Sequence, residues 1–262
     1  MTAPRERWAE VKPWSVVARN LPEHASNPIH TDAGARAQGF ERALVAGVTS
    51  YLFAVHPLVE AWGLDWIARG SAGVRFRSPV FHEDQLQIVP EPQADESVRV
   101  ELFSARSPLP LVTVEGFAPE PTGAASAKDA TDGGGFLRRE GERLQTIDVI
   151  LKGEFGSDYA NRAGDDIVER ISSEGVVHPA VWPAIANRVF HAQVARGSWI
   201  HTRSFVRHHS LAFAGETVTV DSTVVQRFVR SGERAIADVV IRVGERVVAT
   251  LEHEAIIDLS VA

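Results

Sequence analysis

The sequence of 262 residues contains no cysteine. Disulfides, thiolate metal sites, iron–sulfur clusters and a cysteine nucleophile are therefore excluded, and a reducing compartment is favoured. The charged N-terminal segment is not followed by the apolar run that a secretory signal requires. Together these two absences predict a cytoplasmic location.

Long hydrophobic runs and clusters of basic residues are also missing. The longest apolar stretch, residues 45–66, is interrupted by polar residues and a proline: Ser50, His56, Pro57, Glu60 and Asp65. A membrane span needs about 20 consecutive apolar residues, so this stretch predicts a buried helix and no membrane association. Lysine and arginine are scattered singly in a chain of formal net charge −7. This charge pattern argues against nucleic-acid binding and favours small-molecule or protein partners.

The motifs of several common enzyme classes do not occur. There is no His-Glu-x-x-His, no Gly-x-Ser-x-Gly, no Gly-x-Gly-x-x-Gly and no phosphate-binding loop ending in Gly-Lys-Ser/Thr. A dense run of metal-ligand residue types, Glu252-His253-Glu254, lies in a strand pattern that puts the histidine on the opposite face from the two carboxylates. We therefore expect neither a metal nor a cofactor.

The chain divides at a segment without bulky side chains. Residues 119–135 read PEPTGAASAKDATDGGG, which has no hydrophobic periodicity and is typical of a linker. We predict an N-terminal unit of residues 1–120, a linker of residues 121–136 and a C-terminal unit of residues 137–262.

The two units repeat one pattern at an offset of 132 residues. Phe81 in SPVFHEDQLQIV corresponds to Phe213 in SLAFAGETVTV, and the acidic residues Asp84 and Glu216 follow at the same offset. The alternation of apolar and polar residues after these positions predicts equivalent strands. The sequence therefore indicates a duplication.

Each unit shows the same order of predicted elements. A first strand (residues 15–19 and 146–152) is followed by a polar loop, a long apolar helix (residues 44–60 and 180–195) and several alternating strands. An antiparallel sheet that wraps one central helix satisfies this order, because helix and sheet each need a partner for their apolar side. We predict an α+β chain of two tandem units with continuous sheets.

The loop after the first strand carries the most specific pattern. Residues 27–32 read Asn-Pro-Ile-His-Thr-Asp, and residues 44–47 at the helix start read Leu-Val-Ala-Gly. This pattern resembles the MaoC-like, R-specific enoyl-thioester hydratases and dehydratases, whose signature reads roughly Asp-x-Asn-Pro-x-His. The tandem arrangement is similar to the double hotdog members of that family.

The resemblance implies an acyl thioester of coenzyme A or of an acyl carrier protein as substrate, and acid–base catalysis on water. It assigns proton transfer to His30, with Glu23 or Asn27 orienting the water, and substrate binding to Gly47 and Asp32. A backbone N–H at the helix N-terminus, at Gly47, would face the thioester oxygen. Pairing with a second copy or with another hotdog protein is left open.

One position departs from the family pattern, because Ala25 stands where the motif has its aspartate. Ala25 cannot accept a proton, and Glu23 or His24 is the nearby substitute. The alternative is structural: Asn27 and His30 shape a tight loop by local hydrogen bonds and have no catalytic role.

The second unit has lost the motif histidine. The offset places Tyr159 opposite Asn27 and Arg162 opposite His30. Asp158 remains either as a displaced catalytic carboxylate or as part of a solvated acidic loop.

Further histidines lie near the second helix and in the strand after it. His178 directly precedes the helix, where it is either a catalytic base or a capping and packing residue. His201, His208 and His209 lie in the strand-like run SWIHTRSFVRHH and are expected at the surface or at an interface.

Three functions fit these residues. The first is an enoyl-thioester hydratase or dehydratase that uses His30. The second keeps the fold but hydrolyses the thioester, with Asp158 or Glu23 as the carboxylate. The third is a non-catalytic acyl-binding or partner subunit, which agrees with Ala25 and with the lost second motif.

Overall fold

The computed structural model describes residues 13–95, 97–120 and 140–259. The described part of the first unit contains five strands: β1 (Trp14–Val17), β2 (Ser71–Phe76), β3 (Gln85–Pro92), β4 (Val98–Ser104) and β5 (Ser107–Phe117). The described part of the second contains six: β6 (Glu142–Arg143), β7 (Ile147–Ile150), β8 (Ile200–His208), β9 (Thr217–Val229), β10 (Glu233–Val243) and β11 (Arg246–Asp258).

Two long helices lie at the centres of the units, and three short ones lie in the loops before them. They are α1 (Asp32–Ala37), α2 (Gly47–Arg69), α3 (Tyr159–Ala163), α4 (Ile167–Ile171) and α5 (Val181–Gln193). None of the helices in the described ranges is both long enough and apolar enough to cross a membrane.

Helix α2 consists of two segments joined by a kink at Gly63, so the first segment ends close to residue 60, where the sequence predicted the end, and the second runs to Arg69. Asp65 lies on an exposed face of α2, while Trp62 and Trp66 are buried. Gly63 has φ 59° and ψ −145°, so it kinks the segment in a conformation that glycine adopts without steric cost. The helix therefore continues beyond the predicted end because its buried face continues.

The strands form one antiparallel sheet. Its order is β1-β3-β4-β5-β2-β8-β11-β10-β9-β6, and β7 also pairs with β9. The units meet at β2 and β8, where Gly73 pairs with Phe205. These two residues are equivalent under the 132-residue offset, so a local twofold axis passes between them. The predicted continuous sheet is confirmed.

The same offset recurs in the turns that precede β3 and β9. An isolated β-bridge joins Leu44 to Phe81 in the first unit, and an equivalent one joins Val176 to Phe213 in the second. In each turn a carboxylate accepts the backbone N–H of the phenylalanine: Asp84 at 2.9 Å and Glu216 at 2.8 Å. After these strands, equivalent residues of the two units are no longer 132 positions apart, because β9 has 13 residues where β3 has 8.

The sheet packs closely against α2. A Cβ atom at Gly116 of β5 would lie 2.5 Å from Cδ1 of Leu58, so glycine is what permits this approach. Trp66 is fully buried, and its Nε1 donates to the carbonyl of Phe117 at 3.0 Å. Burial of each large apolar side chain contributes roughly 1.5–3 kcal/mol. This packing holds the middle and the C-terminal part of α2 against the sheet.

The predicted linker, residues 121–136, lies outside the described residues. Strand β5 ends at Phe117, and β6 begins at Glu142. The unit boundaries at residues 120 and 137 therefore stay a prediction.

Candidate functional site

The segment between β1 and α2 is a loop held by its own hydrogen bonds. It contains two short 3-10 turns, the second at Pro28–His30, and a proline opens each turn, where its fixed φ is favourable. Thr31 caps α1, since its Oγ1 accepts the N–H of Gly34 at 3.2 Å. Asn20 Nδ2 donates to the carbonyl of His30 at 2.8 Å. The loop therefore presents His30 in a fixed position.

Asp32 stabilises this loop and lines neither of the two cavities described below. One carboxylate oxygen accepts the N–H of Ala43 at 2.9 Å, and the other pairs with Arg36 at 3.1 Å. Its side chain is exposed. The structure thus brings this predicted substrate-binding residue to the loop surface.

The imidazole of His30 has a defined tautomer. Its Nδ1 lies 2.8 Å from the carbonyl oxygen of Leu44. Because a carbonyl only accepts, Nδ1 carries the proton and Nε2 carries the lone pair. Burial lowers the pKa of His30 to about 4, against the opposing effect of the bond to Leu44. The ring is therefore neutral near pH 7 and able to accept a proton at Nε2.

Two cavities, of about 280 and 310 Å³, meet at His30. The first is mostly apolar, and its walls include Phe40, Leu44, Phe76, Val80, Val112 and Ile256. The second has more charged and polar side chains in its walls, among them Glu23, His24, Glu154, Arg188 and His191. Four residues line both cavities: Asn27, His30, Asn187 and Trp199. The predicted base thus lies where a mostly apolar cavity adjoins one that has charged side chains in its walls.

Two asparagines at this boundary present unsatisfied amide oxygens. Asn27 Nδ2 donates to the carbonyl of Trp199 at 2.9 Å. Its Oδ1, and the Oδ1 of Asn187 in α5, are buried without a hydrogen-bond partner among the described residues. Leaving a buried polar atom unpaired costs about 1–3 kcal/mol, so these oxygens mark a place for a polar ligand group. Asn187 was not found from the sequence, because it lies in the second unit and carries no motif.

Gly47 is the first residue of α2 and lines the first cavity. A Cβ atom there would lie 3.2 Å from the ring of Phe76 and 3.5 Å from Nδ1 of His201. The absent side chain leaves the N-terminal end of the helix open to the cavity. Unsatisfied N–H groups and the helix dipole favour an oxygen with negative character at this end.

Glu23 and His24 line the second cavity, but both are engaged by other side chains. Glu23 forms an ion pair of 2.6 Å with Arg162 of the second unit. His24 Nε2 lies 3.3 Å from the Tyr159 hydroxyl and 3.4 Å from that of Thr49. Burial and, secondarily, the neighbouring His30 lower the pKa of His24 to about 4. Both side chains are therefore held by contacts with Arg162, Tyr159 and Thr49.

The two candidates from the second unit do not line either cavity. Asp158 is exposed and pairs with Arg162 at 3.1 Å within one helical turn. His178 is fully buried, and its Nδ1 accepts the N–H of Ala180 at 3.0 Å just before α5. Burial lowers the pKa of His178 to about 4. The contacts of Asp158 fit the alternative of a solvated acidic loop, and those of His178 fit the alternative of a capping and packing residue.

The histidines of β8 are buried, whereas the sequence led us to expect surface or interface positions. His201 is 6% exposed and lines the first cavity, and His208 is 2% exposed with its Nδ1 3.0 Å from the carbonyl of Trp66. The reason is topological: β8 lies at the centre of the sheet, between β2 and β11. Its alternation alone did not reveal that position.

In the second unit, buried side chains occupy the region that corresponds to the motif loop. Tyr159, opposite Asn27 in the repeat, is fully buried, and Ile167 is 3% exposed. Nearby, Asp165 lies 2.8 Å from Nδ1 of His56 on α2. The duplicated loop thus became part of the packing between the units.

Potential metal ligands are engaged in protein contacts. Within the described ranges, no three histidine, aspartate or glutamate side chains come together as a metal-binding group. Glu254 pairs with both Arg203 and Arg234 at 2.8 Å, while His253 Nδ1 lies 2.8 Å from the hydroxyl of Ser204.

Comparison with solved structures shows that the chain has the double hotdog fold. A protein of Mycobacterium tuberculosis described as having a double hotdog fold is 15% identical over 94% of each chain, with a TM-score of 0.60. A MaoC domain protein named as a dehydratase, from Chloroflexus aurantiacus, is 14% identical over 94% of this chain and 95% of its own, with a TM-score of 0.56.

A third structure, the tesB protein of Mycobacterium avium subspecies paratuberculosis, is 14% identical over 97% of this chain and 99% of its own, with a TM-score of 0.54. No family model and no curated protein matches the sequence. The structural relatives therefore confirm the predicted fold and include MaoC-like proteins, but at this identity they do not define the reaction.

Proposed function

We propose that the chain is an enoyl-thioester hydratase that also catalyses the reverse dehydration, acting on a thioester of coenzyme A or of an acyl carrier protein. The observation that carries the proposal is the position of His30. His30, whose Nε2 carries the lone pair, lines a mostly apolar cavity that Gly47 at the start of α2 also lines. We further propose a cytoplasmic location, which the absence of cysteine supports.

The proposed step begins with a water that donates one hydrogen to Nε2 of His30 and shares the other between the amide oxygens of Asn27 and Asn187. His30 Nε2 removes one proton from it, and the hydroxyl adds to the β-carbon of the enoyl group. Electron density moves to the thioester oxygen, which faces the N-terminal end of α2 at Gly47. Protonated His30 then returns the proton to the α-carbon, so that one water has been added across the double bond.

This scheme gives different tasks to the remaining predicted residues. Asp32 fixes the loop that carries His30, and Glu23 forms part of the wall of the second cavity. The acyl chain occupies the apolar first cavity, whose lining is suited to hydrocarbon. Ala25 is tolerated because the two amide oxygens hold the water in place of the motif aspartate.

The test measures the hydration of enoyl thioesters as a decrease in the absorbance of the enoyl group. We expect turnover by the wild type and a loss of about 10²- to 10⁴-fold in His30→Ala, since general-base contributions are of that size. Asp158→Asn is the matched control, because Asp158 is exposed and lines neither cavity. Equal rates in wild type and His30→Ala, or no turnover by the wild type, would count against the proposal.

Thioester hydrolysis is the second candidate. It is favoured by one observation, the partly buried carboxylate of Glu23 at the second cavity beside His30. A structural relative is named as a tesB protein, which adds no more than a shared fold. Release of free thiol from saturated acyl thioesters, abolished in Glu23→Gln, would favour hydrolysis. Tight binding of thioesters without either reaction would favour the non-catalytic acyl-binding subunit.

A further inference from the structure

His201 of β8 projects from the second unit into the cavity that contains His30. The side chain is 6% exposed and lines the first cavity. Its Nδ1 is buried and has no hydrogen-bond partner in the described part of the chain. That atom lies 3.5 Å from the position that a Cβ of Gly47 would occupy, so it is directed at the N-terminal end of α2.

A buried chain of hydrogen bonds holds the other side of the His201 ring. Nε2 lies 2.8 Å from the hydroxyl of Ser204, and that hydroxyl lies 2.8 Å from Nδ1 of His253. The ring of Phe76 packs on His201 with centroids 4.6 Å apart, and Phe190 packs on His253 at 4.7 Å. The orientation of His201 is therefore fixed from both sides.

Burial lowers the pKa of His201 to about 3 and that of His253 well below its usual value. Both rings are consequently neutral, with one proton each, and the single proton of Ser204 gives the chain a direction. In one direction His253 donates to Ser204, Ser204 donates to His201, and the proton of His201 is on Nδ1. In the other direction the unpaired N–H is Nε2–H of His253.

The first direction is favoured because of where the unpaired donor lies. Nε2 of His253 is buried without a partner in the residues that the structure describes. A buried N–H without an acceptor is costly, and of the two rings only that of His201 belongs to a residue that lines a cavity, since His253 lines neither of the two.

We propose that His201 is a catalytic residue whose Nδ1–H donates to the thioester oxygen, beside the N–H groups at the start of α2. This inference rests on the proposed function and deepens it. The two halves of the oxygen site then come from different units: Gly47 from the first and His201 from the second. A neutral imidazole donates to an oxygen on which negative charge develops, and the donation strengthens as hydroxide adds to the β-carbon.

The matched variants are His201→Asn and His201→Gln. The asparagine amide nitrogen falls near the former Nδ1 position, whereas the glutamine amide reaches towards Ser204 and leaves no donor at the cavity. We expect H201Q to lower kcat for hydration about a hundredfold, as does removal of one oxyanion donor elsewhere, while H201N keeps most of the activity. KM changes little in both, because the bond strengthens in the transition state.

Two further measurements do not depend on turnover, and the first of them needs no variant. ¹⁵N chemical shifts should show His201 protonated on Nδ1. The infrared carbonyl stretch of a bound, ¹³C-labelled butyryl thioester should lie at a lower frequency than in solution, and this shift should shrink in H201Q but not in H201N.

A His201 proton on Nε2 in the complex would overturn the inference, and so would an H201Q protein that keeps both the hydration rate and the carbonyl shift. Equal losses in H201N and H201Q would overturn it as well. Failure of the proposed function would look different: His30→Ala and wild type would hydrate the substrate equally, or the wild type would not react. The tautomer and the carbonyl shift are measured without any reaction, so the two failures can be told apart.

Discussion

Glu23 of the first unit and Arg162 of the second form an ion pair of 2.6 Å across the interface between the units. Arg162 occupies the repeat position that corresponds to His30. The duplication therefore did not preserve two equal sites. Arg162, at the second copy of the motif position, now pairs with Glu23, which precedes the first copy of the motif in the chain.

Because Glu23 is paired with Arg162, we expect Glu23→Gln to leave enoyl-thioester hydration nearly unchanged. The lost ion pair should reduce the free energy of unfolding by about 1 kcal/mol or less, since Arg162 is partly exposed. Hydration kinetics and urea unfolding check both expectations. A large loss of hydration would instead identify Glu23 as the group that replaces the motif aspartate.

The buried imidazole of His30 sets the expected pH dependence. Its pKa is lowered to about 4, so the neutral, proton-accepting form prevails above that pH and is lost as the pH falls through it. We expect kcat/KM for hydration to be constant near neutral pH and to decrease only towards pH 4. Circular dichroism at each pH controls for acid unfolding. A break near 6.5, the value of an exposed histidine, would contradict the assignment.

Asn187 should show a conflict between stability and activity. Its Oδ1 is buried and unpaired within the described residues, so Asn187→Leu removes an unsatisfied polar atom. We expect the free energy of unfolding not to fall, while hydration decreases about tenfold because the water loses one acceptor.

The control for Asn187 is Asn161→Leu, since Asn161 donates to Glu169 on the surface and lines neither cavity. Hydration by Asn161→Leu should equal that of the wild type. An Asn187→Leu protein of full activity would remove this residue from the proposed site.

Gly116→Ala tests the contact between the sheet and α2. The new Cβ would lie 2.5 Å from Cδ1 of Leu58, and overpacking of this kind costs about 1–3 kcal/mol. Urea unfolding should show that loss. The double variant with Leu58→Ala should lose less stability than the sum of the two single losses, because the second change opens space for the first. Simple additivity would contradict the contact.

The fold could be predicted from the sequence in most respects because local patterns repeat at a constant offset. Phe81 and Phe213 were matched by sequence, and the structure gives them the same turn with a carboxylate on the same backbone N–H. The predicted end of the central helix at residue 60 lies close to the kink at Gly63, but the second segment of α2 after that kink was not predicted. Here Trp66 continues the buried face beyond Asp65.

Only part of the candidate site could be predicted from the sequence. His30, Asn27 and Gly47 lie close in a recognisable motif, and the structure brings all three to the first cavity. Asn187 and His201 belong to the second unit and carry no motif of their own. Their role depends on which strand lies at the centre of the sheet and on which helix face meets the loop.

The sequence by itself determined the duplicated α+β architecture and the loop that carries His30, because periodicity and turn chemistry act between residues close in the chain. Only the tertiary structure decided which acidic groups are neutralised by pairing and which distant histidine faces the helix N-terminus. Those outcomes depend on burial and on distances between the two units, and neither quantity is encoded in local spacing.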